Sequence, residues 1–194
     1  SLEWRGCGMA RSSTRDEILA AAARLFAAAG YKGTSLHDIA VDVGCSKAAL
    51  LYHFDSKEAI LTQLCAPAIA ELEQLHERLR TLDQKAARIE AIEGFVDLCM
   101  RYREEIQVIY GDLPGLLQQP AFQRVHAMTQ TVCEILAGAS GSPTAVIAAK
   151  LVLAGIPAIA FGIDQDMHGY TDEALRAALI EAATRALAPS PETR

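Results

Sequence analysis

The chain has 194 residues, 51% of them apolar and rich in alanine, and a formal net charge of −6. That length holds one core or two small ones and folds unaided, and the composition favours helices almost throughout. No run of about eighteen apolar residues free of charge appears, so no membrane span is expected; the nearest approach, Leu151–Ile163, is interrupted by Gly155 and Pro157.

Ser1–Gly8 look unlike the rest, and Met9 reads as a natural start preceded by added residues or by a longer reading frame. Residues 1–13 are expected to be a flexible arm or added residues, and Met9–Arg15 is a short polar stretch whose Arg11 and Arg15 are placed either to touch phosphates or simply to fray. Thr14 and Glu17 have the T-x-x-E spacing of a capping box and predict the start of a first helix. Ile18, Ala22, Leu25, Phe26 and Ala29 form its apolar stripe, and Gly30 ends it.

A second helix opens at Thr34 or Ser35, with Asp38 as the box partner of Ser35. Leu36, Ile39, Ala40 and Val43 share one side of it, and Gly44 supplies the positive φ that stops it. Ser46 caps a third, short helix from Lys47 to about His53, with Leu50 facing inward. Helix, glycine-containing turn and helix at this length fit a helix-turn-helix, whose second helix enters the DNA major groove. They also fit an ordinary αα-hairpin.

Asp55 and Glu58 mark the start of a long fourth helix reaching about Leu79, with Pro67 inside it as an expected bend. Further helices are predicted over Gln84–Tyr102, with Ile89, Ile92, Phe95, Val96 and Cys99 on one face, and over Glu104–Leu113, ended by Pro114-Gly115. Pro120–Ala137 follows, with Phe122, Val125, Met128, Thr129, Val132 and Ile135 as its apolar set. After a Gly138–Ser142 loop, Pro143 suits the first turn of a helix almost free of charge through Ile163, Lys150 excepted. Asp164–Tyr170 is a polar connection, Thr171 caps a last helix with a small-and-aliphatic face, and the tail from Pro189 is loose.

These last two helices leave too little polar surface to be covered on one side only. Either they are ordinary core helices, or a second copy covers them as a two-fold dimer.

Charge is unevenly divided. Met9–Ile60 holds six basic and six acidic residues, whereas Leu61–Arg194 holds eleven basic and seventeen acidic ones. Overall acidity therefore does not exclude DNA binding, although it argues against strong non-specific affinity. The five cysteines show no C-x-x-C spacing and read as free thiols of a reducing cytoplasm.

The stretch from Thr14 to about Leu61 resembles the DNA-binding domain of TetR-family transcriptional regulators. The likeness is carried by Phe26, Gly30-Tyr31, Gly33-Thr34-Ser35, Asp38-Ile39-Ala40, Val43-Gly44-Cys45-Ser46-Lys47, Leu50, Tyr52-His53-Phe54 and Ser56-Lys57-Glu58.

The resemblance implies an all-α protein with a three-helix helix-turn-helix domain at 14–60 and a larger helical effector-binding and dimerisation domain at 61–188. It implies phosphate contacts from Thr34, Ser35 and Lys57. It also implies a recognition helix presenting Ser46, Lys47, Ala48, Ala49, Tyr52 and His53 to double-stranded DNA. Lys47 could read guanine or hold a phosphate, and His53 could equally be structural. Ala49 and Leu51 stand where family members commonly carry threonine and tyrosine, which leaves the reading surface unusually apolar; a thymine methyl remains available to Ala48 or Ala49.

Beyond Leu61 the resemblance implies a small-molecule effector. Phe95, Cys99, Met100, Tyr102, Tyr110, His126 and Met128 are candidate lining residues, each equally readable as core. A palindromic operator and a homodimer through the last two helices complete the expectation; no cofactor, metal or membrane is expected.

Enzymatic motifs are weak. Glu73-x-x-His76 has one half of a di-iron ligand pattern without its second copy. Gly138-Ala139-Ser140-Gly141-Ser142 lacks the final glycine of a nucleophile elbow. The alternatives kept beside a ligand-released repressor are a regulator without a small-molecule effector and a helical hydrophobe-binding protein with vestigial DNA binding.

Overall fold

The computed structural model describes residues 7–111, 116, 119–139, 141–162 and 170–188, with side chains from residue 14 onward except at 121. The expected breaks at Pro114-Gly115, most of Asp164–Tyr170 and the tail from Pro189 lie outside the described residues. Everything regular in them is α-helix: α1 (Cys7–Gly33), α2 (Leu36–Val43), α3 (Lys47–His53), α4 (Lys57–Leu79) and α5 (Gln84–Arg101), then α6 (Arg103–Gly111), α7 (Pro120–Ala137), α8 (Pro143–Ala160) and α9 (Asp172–Ala186).

The chain forms two compact units. One runs through Ala66 and takes in a short segment beginning at Val108; the other begins at Pro67 and holds the remainder. The division falls at Pro67 inside α4 rather than at the expected 60/61, because Ile60, Leu61 and Cys65 are buried residues of the first unit.

In the first unit, Ile18, Ala22 and Phe26 of α1, Ile39 and Ala40 of α2, Leu50 of α3 and Phe54 are all buried, and α2 contacts both α1 and α3. Two expectations for α1 need correcting. The helix already runs at Cys7, so Thr14 lies inside it rather than capping it, and Met9–Arg15 is helical rather than an arm. Arg15 helps hold that turn in place: its guanidinium sits 4.8 Å over the Phe54 ring and donates to Gln63 Oε1 at 2.9 Å. At Gly30, φ is 77° and ψ 160°, which breaks the helix where the sequence placed its end and leaves Ala29 exposed.

In the second unit one continuous core joins Leu72, Leu75 and Leu79 of α4 to the inner faces of α5, α7, α8 and α9. On α5 that face is Ala87, Ala91, Ile92, Phe95, Val96, Leu98 and Cys99; Ile89, expected to belong to it, is exposed. Asp97 ties α5 to α9 by accepting from Arg176 Nε at 2.5 Å and from its Nη2 at 2.9 Å. The Arg176 hydrogen bonds hold the Asp97 carboxyl below its ordinary range.

By length and composition α8 is apolar enough to cross a membrane, with a mean hydropathy of 1.8. The sequence expectation of no span rested on the lack of a charge-free run of about eighteen apolar residues, with Gly155 and Pro157 interrupting Leu151–Ile163; averaged over Pro143–Ala160, those residues do not lower the hydropathy enough. One face of α8 (Ala149, Val152, Leu153, Ile156, Ala160) packs into this core, while Ile147 and Leu151 project outward at 58% and 67% exposure.

Candidate nucleic-acid interface

The helix-turn-helix is built by three local devices. Ser35, in extended backbone, caps α2: its Oγ accepts from the Asp38 N–H at 3.2 Å, and its own N–H and hydroxyl donate to Asp38 Oδ2 at 2.8 and 2.7 Å. The Ser35 hydroxyl, and then its N–H, pull the Asp38 carboxyl below its ordinary value. At the other end Gly44 adopts φ 77° and ψ 27°, the left-handed turn that lets Cys45 N–H return to Ala40 O at 2.9 Å. Ser46 then restarts the chain as the cap of α3, accepting from Ala49 N–H at 3.1 Å.

α3 has one inward residue, Leu50, fully buried. Lys47, Ala48 and Ala49 are exposed, and Leu51 and Tyr52 are exposed by 38% and 67%. His53 is half-buried and meets the Tyr52 ring edge-on, with centroids 5.4 Å apart. The expected reading residues of α3 are thus exposed, His53 half-buried, and Leu51, which the sequence reading left out of the contact set, is exposed beside Lys47 and Ala48. Its place was legible: three residues after Ala48 and four after Lys47, it falls on their side of the helix.

Two expected phosphate contacts have other partners. Thr34 is only 2% exposed, and its hydroxyl sits 3.1 Å from Leu25 O and 3.0 Å from Gly30 O, at the broken end of α1. Lys57 Nζ donates to Tyr31 O and Thr34 O, both at 2.8 Å, and lies 4.3 Å over the Tyr31 ring. Both side chains lock the α1–α2 connection. Ser35 is exposed, and α1 is braced against α2 by Arg24 and Asp42 at 2.6 Å.

Residues 18–64 match the family of bacterial regulatory proteins named for TetR. Over that segment, about a quarter of the chain, the sequence is similar to TetR-family regulators. Over 49 residues it is 51% identical to IcaR of Staphylococcus aureus, described as a negative transcriptional regulator of a biofilm operon. That match spans 25% of this chain and 26% of IcaR, so the chain matches about a quarter of the length of the curated relatives. The whole fold is similar to a TetR-family regulator from Bordetella parapertussis, at TM-score 0.68 and 22% identity over 87% of this chain and 93% of that one. It is also similar to PfmR of Thermus thermophilus, at TM-score 0.65 and 23% identity over 92% and 97%.

Among the described residues, the effector candidates lie in different surroundings. Phe95, Cys99 and Met128 are buried in the second unit's core, and Met100 and Tyr102 pack against it. Burial pushes the Cys99 thiol well above its ordinary range, so it stays protonated. His126 is exposed beside Gln130, and Tyr110 is exposed and belongs to the first unit.

A cavity of about 540 Å³ lies elsewhere in the second unit, among Arg103, Gln107, Ile159, Phe161, Tyr170 and Leu175. There Arg103 donates to Asp172 Oδ1 at 2.7 Å, while its Nε is buried without a partner. The signal that could have pointed to it is Arg103 directly after the break at Tyr102. Among the described residues no three His, Cys, Asp or Glu side chains are grouped to hold a metal ion.

Proposed function

We propose that the chain is a dimeric, sequence-specific DNA-binding repressor, released from a palindromic operator when a small hydrophobic or aromatic molecule binds its second unit. The observation that carries the DNA-binding reading is the outward face of α3 in the family-matched domain: Leu50 alone anchors it, leaving Lys47, Ala48, Ala49 and Tyr52 turned to solvent. Ser35, at the N-terminus of α2, is suited to a phosphate, and Ser46 and His53 flank the reading face. Thr34 and Lys57 serve by setting the approach of α1 and α2. Repression is supported by the description of IcaR as a negative regulator.

Dimerisation is supported by the apolar residues α8 and α9 leave uncovered: Ile147, Leu151 and Ala154 on one, and Ala174, Ala178 and Ala182 at four-residue spacing on the other. The effector is supported by the cavity beside Arg103, whose mixed lining suits an apolar molecule carrying one hydrogen-bond acceptor. A ligand with higher affinity for the dimer spacing that does not fit the operator depopulates the spacing that does.

A second reading keeps DNA binding without a small effector. It is favoured by the burial of Phe95, Cys99 and Met128 in a closed core.

A gel shift with the DNA flanking the chain's own gene, at moderate salt, tests both. A sequence-specific band, lost in the Lys47→Ala/Tyr52→Ala double variant while the dimer stays folded, is expected. Weakening of that band by hydrophobic compounds supports ligand release, and indifference to all of them favours the second reading. Absence of any specific band contradicts DNA binding.

A further inference from the structure

We infer that Leu51, with Ala48 beside it, reads thymine through its C5-methyl group, so that the operator half-site is specified chiefly by methyl contacts under α3. The inference rests on the DNA-binding reading above.

Leu51 is 38% exposed on a seven-residue helix whose inward position is already taken by Leu50. Its neighbours across the same surface are Lys47, Ala48 and Tyr52, and Ala49 is exposed as well. Three of the solvent-facing residues of α3 (Ala48, Ala49, Leu51) therefore have side chains that neither donate nor accept a hydrogen bond. Ser46 Oγ is already engaged as the cap of α3, accepting from Ala49 N–H.

Of the four bases, each of which offers hydrogen-bonding atoms in the major groove, only thymine also offers an apolar group, the C5-methyl. An aliphatic side chain set against cytosine, guanine or adenine would strip water from polar atoms and return nothing. Against thymine it buries methyl on methyl. Lys47, Ala48 and Leu51 lie within one turn, so the methyl-reading positions fall within a few adjacent base pairs. Phosphate contacts elsewhere add affinity without choosing bases.

The test starts by enriching a random duplex library on the intact 194-residue chain, then replacing each thymine of the enriched half-site by deoxyuridine, which removes only the methyl group. For the wild type, one such exchange is expected to weaken binding about threefold to tenfold, the scale of one methyl returned to water. In Leu51→Ala that exchange should have no further effect, and Leu51→Met, which keeps an apolar reach, should retain the sensitivity. Replacing the same base pair by C·G should weaken wild-type binding, and 5-methylcytosine there should regain part of the loss. Lys47→Ala should weaken every duplex alike and leave the thymine-to-deoxyuridine ratio unchanged. Circular dichroism melts of the Leu51 variants confirm that the fold is intact.

Enrichment with every deoxyuridine exchange neutral, or with Leu51→Ala still sensitive, overturns the inference and leaves DNA binding standing. No enriched sequence at all overturns the DNA-binding reading itself.

Discussion

Lys57 holds together three pieces of chain that a local pattern cannot connect. Its ammonium caps two carbonyls, those of Tyr31 and Thr34, twenty-six and twenty-three residues earlier, and covers the Tyr31 ring. Thr34, buried beneath, uses its hydroxyl on carbonyls of the helix before it. Position in the motif placed both on the phosphate backbone, whereas the partners of Lys57 are main-chain oxygens more than twenty residues away that no short spacing reveals, and those of Thr34 lie four and nine residues back, across the break at Gly30. A lysine that only touched phosphate would leave stability unchanged on removal. Lys57→Met is instead expected to cost about 2 kcal/mol, the scale of hydrogen bonds from a charged donor, read as a lowered urea midpoint in the absence of DNA. An unaltered midpoint would return Lys57 to a purely DNA-facing role.

At the scale of elements, what is local was legible and what depends on neighbours was not. The Ser35–Asp38 box, the Gly44 stop and the Ser46 and Thr171 caps are all interactions within four residues, and each stands where the sequence put it. The start of α1 was missed because a T-x-x-E pattern marks a possible cap but does not forbid helix ahead of it. Ile89 was placed inward because periodicity gives the direction of an apolar stripe but not its width; Ala87 and Ala91 occupy the buried edge instead. The candidate effector residues are those the sequence separates least, since aromatic and sulfur side chains at helical spacing fill a core as readily as they line a cavity.

The capping box also carries a pH dependence. Hydrogen bonds from Ser35 depress the Asp38 carboxyl below its ordinary value of 3.8. A depressed carboxylate contributes stability that is fully present above its unfolded value and is lost as pH falls through the folded one. Ser35→Ala is therefore expected to destabilise the first unit by about 1 kcal/mol at neutral pH, the usual worth of a serine cap. The difference from wild type should shrink in acid below the ordinary carboxylate range. Melts from neutral pH downward check this, and a gap that stays constant into acid would contradict it.

At the scale of the whole molecule, composition alone is misleading in two ways. A net charge of −6 hides a neutral first part, and the apolarity of α8 meets the measure of a membrane span although one of its faces packs in a bundle. The outer face, with Leu151 at 67% exposure, is the part we propose a second copy covers. Leu151→Glu combined with Ile147→Glu is expected to give a folded monomer by light scattering, since neither side chain supports the chain's own core; a persistent dimer would place the interface elsewhere. That variant should also lose operator binding, because each chain alone offers one reading helix.

The central claim is that α3 reads DNA as one of a symmetric pair. It is tested most directly by titrating the wild-type protein against its enriched palindromic duplex and against the same duplex with one half-site scrambled. The account predicts a loss on the order of a hundredfold or more for the scrambled duplex, because the second contact is then lost from a tethered pair. Equal affinity for the two duplexes would contradict it.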